Sequence, residues 1–176
     1  MTHVETFVEI CTRVAAWNNA RYEQVYNAEL AANLLCEEAK ELLDALAVND
    51  QVEFLDGVAD VMFVAVGCVW KQNGRIELDK LVEFNPEQDV MEVFGSLIEK
   101  TRMPTIYEIN NACVCLLHSN GYTAEDYFEA LLAVCDSNDT KAIKKTASNV
   151  KANVDKGAYF VPPTEALKRI VARRYE

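Results

Sequence analysis

Two carboxylates, Asp56 and Asp60, stand four residues apart in a stretch that otherwise reads as apolar. Around a helix drawn through residues 52–72, Val58, Val61, Met62, Phe63, Val64 and Val66 point in nearly every direction, so Asp60 reads as enclosed. No Lys or Arg occurs between Asp44 and Trp70 to neutralise either acid locally. A buried carboxylate is costly unless it is paired, protonated or bound to a cation. Any fold this chain adopts must therefore bring a partner to that helix from elsewhere.

The preceding segment offers one. A helix over residues 25–48 places Glu37, Glu38, Glu41 and Asp44 within about 120° of arc, opposite Leu35, Ala39, Leu42, Leu43 and Leu46. Asn49-Asp50 breaks the pattern. Antiparallel packing about that break sets Glu38 and Glu41 opposite Asp56 and Asp60, because each pair lies about two to three turns from it. Four converging oxygen donors suit a hard cation, Mg²⁺ or Mn²⁺. The alternative is an acidic face that simply meets water, which fits residues 37–41 taken alone better than it fits Asp56 and Asp60. Asp44 and Glu53, at the margins of the two arcs, read equally as support for the cluster and as solvated residues.

The rest of the chain agrees with an all-α fold. Six Gly and four Pro among 176 residues leave little turn chemistry for a sandwich or barrel. Helical spacing recurs over about residues 4–17, where Asn18-Asn19 reads as a stop, and over 87–100, 105–118 and 124–135. Residues 139–154 read as a weakly packed, lysine-rich helix or an ordered loop. Residues 159–163 should be extended, because proline disfavours helix in the residue before it. A terminal helix follows from Pro163 or Thr164 to the basic Arg173-Arg174. The length suits one domain, 1–176.

Charge and cysteine usage exclude several classes. With 28 acidic against 17 basic residues and a formal charge of −11, the chain would repel a phosphate backbone, so duplex nucleic acid is not an expected partner. Six cysteines in apolar helical stretches, without a C-x-x-C pair, read as buried thiols in a reducing cytosol, and Cys113-Val114-Cys115 as core rather than a soft-metal site. The longest apolar run, residues 61–70, is about half a bilayer span, so no membrane anchor is expected. His3 and His118 are the only histidines, and no G-x-x-x-x-G-K-[ST] loop occurs, which leaves little for histidine-based zinc, a Ser-His-Asp triad or P-loop chemistry.

In Leu34-Leu35-Cys36-Glu37-Glu38-Ala39-Lys40-Glu41-Leu42-Leu43-Asp44 followed by Asp56-Gly57-Val58-Ala59-Asp60, the chain resembles the MazG-like, all-α nucleoside triphosphate pyrophosphohydrolase superfamily. The mark of that superfamily is E-E-x-x-E on one helix and E-x-x-D or D-x-x-x-D on the next. Ser137-Asn138-Asp139-Thr140-Lys141 and Lys156-Gly157-Ala158-Tyr159-Phe160-Val161-Pro162-Pro163 are similar to later elements of its phosphoribosyl-ATP-pyrophosphohydrolase-like branch. Two departures stand out. Gly57 occupies the place of the commoner Glu, so Asp56 must supply that ligand or Glu53 must reach in. About forty-five residues more than compact members have lie before Ser137, which reads as a helical insertion over about 75–120.

The resemblance implies a four-helix bundle with inserted and C-terminal helices, and hydrolysis of a (d)NTP to (d)NMP and pyrophosphate. It implies Mg²⁺ or Mn²⁺ on Glu38, Glu41, Asp56 and Asp60, with Glu37 orienting or deprotonating the attacking water or holding a further ion. Asn138, Lys141 and Lys156 would meet substrate. Trp17 and Tyr26 are candidates to stack on a base, although core packing accounts for them as well. A homodimer or homotetramer is implied, in a cytoplasm that would be the host's if the chain is phage-encoded. dGTP or GTP, dUTP and dCTP stay open as substrates. So do phosphoribosyl-ATP and, outside enzymes, a catalytically silent helical binding protein.

Overall fold

The computed structural model describes residues 2–22, 25–77, 85–142 and 156–175. Among them are seven helices and no strands: α1 (His3–Arg21), α2 (Ala28–Ala47), α3 (Gln51–Asn73), α4 (Val90–Glu99), α5 (Ile106–Ser119), α6 (Ala124–Asp139) and α7 (Thr164–Arg173). The fold is all-α. Most starts are set by side-chain caps that satisfy orphan amide groups. Thr2, Thr105 and Thr123 form capping boxes with Glu5, Glu108 and Asp126, and Asn27, Asp50 and Asp89 cap α2, α3 and α4.

The boundaries differ from expectation at several places. Asn18-Asn19 does not stop α1, because Asn18 is buried and its side-chain amide donates to the Val14 carbonyl within the helix. The helix runs one more turn to Arg21, whose guanidinium lies 4.5 Å over the Trp17 ring. α2 begins at Ala28 rather than residue 25, and α4 at Val90 rather than 87, each immediately after its capping side chain. α6 continues past Cys135 through the buried Ser137 and Asn138 to Asp139. Of the lysine-rich stretch, the part from 143 lies outside the described residues, with Lys144, Lys145 and Lys151.

The hairpin between α2 and α3 is built by two residues, Asn49 and Asp50. The Asp50 amide donates to the Ala45 carbonyl and the Asn49 amide to that of Leu46, which closes α2 in a Schellman motif. Asn49 takes the required left-handed conformation, with φ 57°. Asp50 then turns its carboxylate onto the Val52 and Glu53 amides and starts α3.

α3 is the central rod. It packs on α1, α2, α5, α6 and α7, while α4 lies against α2 and α5. One contiguous core draws on all seven helices, including Phe7, Leu42, Phe54, Phe94, Ile109, Tyr127 and Leu167. Within the most extensively packed pair, α2 and α3, the helices come close at Gly57. A Cβ there would stand 2.9 Å from the Leu42 Cα. Gly57 thus does more than mark a missing glutamate, because only hydrogen fits between the two backbones at this level. No helix among the described residues is long and apolar enough to cross a membrane.

Candidate active site

The α2–α3 contact sets the register of the acidic rows. Leu42 and Gly57 touch, and from that level the two antiparallel helices present Glu38 and Glu41 on α2 toward Asp56 and Asp60 on α3. Glu37 and Glu41 are exposed, Glu38 is partly buried, and Asp56 and Asp60 are half-buried. Burial pushes the Asp60 carboxyl well above its ordinary value; the charges of Asp56, Glu38 and Glu41 add to this and Lys141 opposes it. Asp56 is pushed up to about 6, chiefly by burial, with Glu53 and Glu41 adding and Lys141 and Lys156 opposing. These acids lie within one another's electrostatic field.

They do not form a closed coordination shell. Among the described residues no group of three or more His, Cys, Asp or Glu side chains converges closely enough to hold an ion. Asp56 Oδ1 is buried and has no hydrogen-bond partner. An orphaned buried carboxylate oxygen in an all-oxygen, acid-rich environment has the chemistry of an incomplete hard-cation site.

The two expected lysines arrive from far along the chain. Lys141 follows α6 and lies half-buried facing Asp60, Asp56 and Glu38. Burial pushes its ammonium below the ordinary value, the charge of Lys156 adds to that, and the three acids resist it. Its main chain is fixed by Arg21, which donates to the Lys141 carbonyl at 2.6 Å. Lys156, exposed, opens the segment before α7.

Phe160, which the sequence reading did not single out as functional, joins the two lysines. Its ring centroid lies 5.8 Å from Lys141 Nζ and 4.9 Å from Lys156 Nζ. The only hint was its place in the run 156–163. Backbone geometry seats the ring. The Val161 amide donates to the Thr140 hydroxyl, which itself donates to the Ser137 carbonyl. Gly157, at φ 70°, passes so close to Ala142 that a Cβ would stand 3.2 Å from the alanine methyl.

Other candidates find other surroundings. Asn138 is 4% exposed, inside the last turn of α6, and its carbonyl accepts from the Trp17 indole at 2.9 Å. Trp17 is itself enclosed, edge-on to Phe63. Tyr26 lines a groove of about 820 Å³ with Cys68, Val69, Gln72 and Pro104. Val69 is turned about 180° from Asp60 around α3, so this groove opens away from the acids. All six cysteines are free thiols, with Cys11, Cys36, Cys113 and Cys135 buried.

The sequence model of the phosphoribosyl-ATP pyrophosphohydrolase family matches residues 12–83. Over this segment, less than half of its length, the chain is similar to that pyrophosphohydrolase family. No curated protein and no solved structure matches the chain. The matched span takes in about half of α1 and all of α2 and α3, and with them every acid of the cluster. Lys141, Lys156 and Phe160 lie beyond it. A phosphoribosyl-ATP pyrophosphohydrolase-type segment supports hydrolysis of a phosphoanhydride, in a family that typically works with a divalent ion.

Proposed function

We propose that the chain cleaves the α–β phosphoanhydride of a nucleoside triphosphate, giving a nucleoside monophosphate and pyrophosphate, with dGTP or GTP, dUTP and dCTP as candidate substrates. The observation that carries this reading is the orphaned Asp56 Oδ1 beside Asp60, with Glu38, Glu41 and two ammonium groups facing the same acids. The donors are all oxygen, which fits Mg²⁺ or Mn²⁺ better than a soft ion. Glu38, Glu41, Asp56 and Asp60 would hold it. When bound, such an ion neutralises phosphate charge and acidifies a coordinated water.

The chain's own groups account for the remaining work. Glu37 lies one residue, about 100° of helix, from Glu38 and is exposed, so it can orient or take a proton from the attacking water. Lys141 and Lys156 meet the charge of the departing pyrophosphate as point charges. Asn138 serves substrate best through its placement of Lys141, whose amide donates to the Asn138 carbonyl.

The same family match supports phosphoribosyl-ATP as substrate equally well. We read residues 75–120 as a helical insertion, the working form as a homodimer or homotetramer, and the setting as cytoplasmic, with duplex nucleic acid and membranes excluded as partners. Pyrophosphate release is to be measured with Mg²⁺ and with Mn²⁺ across the common ribo- and deoxyribonucleoside triphosphates and phosphoribosyl-ATP. Glu38→Gln should lower the rate by about a hundredfold or more without loss of the fold. No turnover on any of these substrates would leave the silent binding protein as the better reading.

A further inference from the structure

We infer that Phe160 is a positioning residue that holds Lys141 and Lys156 together as one receptor for pyrophosphate, the leaving half of the reaction; this rests on the function proposed above. Three observations carry it. Both ammonium groups lie within cation–π range of one ring, at 5.8 and 4.9 Å. The ring sits on a fixed backbone, because the Val161 amide is tied through the Thr140 hydroxyl to the end of α6 and Gly157 is pressed against Ala142. The flanking Tyr159 and Val161 side chains are exposed at 88% and 59%, while Phe160 is turned inward toward the lysines.

Two like charges brought together repel, and a lysine stem is flexible, so the pair would otherwise spread apart. A shared π-face opposes that spreading by attracting both cations. It leaves each ammonium donors to spare, since the ring occupies one side only. Pyrophosphate presents several anionic oxygens over a short span and engages a convergent pair of ammonium groups better than two independent ones. A single carboxylate or monophosphate gains less from the pairing. Phe160 itself touches neither phosphate nor water in this scheme.

The test uses the full chain with Mg²⁺ and inorganic pyrophosphate as the probe, followed by titration calorimetry, with inorganic phosphate as the comparison ligand. Phe160→Leu should weaken pyrophosphate binding by roughly tenfold, leave phosphate binding within about twofold and keep the melting temperature close to native. Phe160→Tyr, which keeps the π-face, should restore pyrophosphate affinity. In turnover the Leu variant should raise KM more than it lowers kcat. Native pyrophosphate affinity in the Leu variant, or equal loss in the Leu and Tyr variants, would overturn the role given to Phe160 while leaving the proposed activity standing. A native chain that binds no pyrophosphate and turns over no nucleotide would overturn both.

Discussion

Replacing Gly57 by alanine tests the α2–α3 contact directly, because helix propensity and packing predict opposite signs. Alanine in a helix interior is favoured over glycine by about 1 kcal/mol. Here the added methyl would stand 2.9 Å from Leu42 Cα, 3.1 Å from its Cβ and 3.3 Å from its nitrogen. Carbon atoms pack at about 3.5–4.0 Å, so the two backbones must part by about 0.6–1 Å. The atoms in the way are main chain and Cβ, not the end of a flexible side chain, which puts the overpacking cost at about 2–3 kcal/mol. Subtracting the propensity gain leaves a net loss of about 1–2 kcal/mol, or about 2–8 °C in melting temperature. The same displacement shifts Glu38 and Glu41 relative to Asp56 and Asp60, and about 1 Å of misplacement can cost up to a hundredfold in rate. Differential scanning calorimetry of the native chain and Gly57→Ala, paired with pyrophosphate release well below both transitions, reads both effects. An alanine variant that melts at or above the native temperature would refute the close contact. Gly57→Glu, which restores the commoner motif residue, should be worse still.

Two further outcomes follow from the same structure. Asp56 titrates higher in the folded chain, at about 6, than its ordinary 3.8, so its contribution is fully present below about pH 4 and is lost as pH rises through 6. Metal-free protein should therefore lose about 2–3 kcal/mol between those limits relative to Asp56→Asn, read as the difference between two melting-temperature profiles in chelator. Identical profiles would remove the raised carboxyl from the account. Trp17→Phe should cost about 1–2 kcal/mol in urea unfolding, since it forfeits the indole bond to Asn138 and weakens the Arg21 stack, with KM for nucleotide unchanged. A raised KM at native stability would instead make Trp17 a base-stacking residue.

The helices were legible wherever spacing and local caps agree. Asp50, Thr105 and Thr123 begin their helices as short-range chemistry dictates, and Asn73-Gly74 ends α3 with Gly74 in the left-handed region at φ 65°. Asn18 misled because its stop-like character depends on being solvated, and its amide is instead spent inside α1. The acidic rows were legible because a carboxylate among valines has few explanations. The role of Gly57 was not, since an absent side chain says nothing about what approaches it. Nor was Phe160, whose partners lie nineteen and four residues back in the chain and meet it only once Thr140 has docked the segment that carries it.

That docking has an engineering consequence. Lys141 and Lys156 share one ring, and Ala142 abuts Gly157, so the chain leaves this spot and comes back to it at nearly the same point. Because both lysines depend on the same two anchor points, a change at Thr140 or Gly157 should disturb them together, so substitutions meant to spare the site belong away from these anchors.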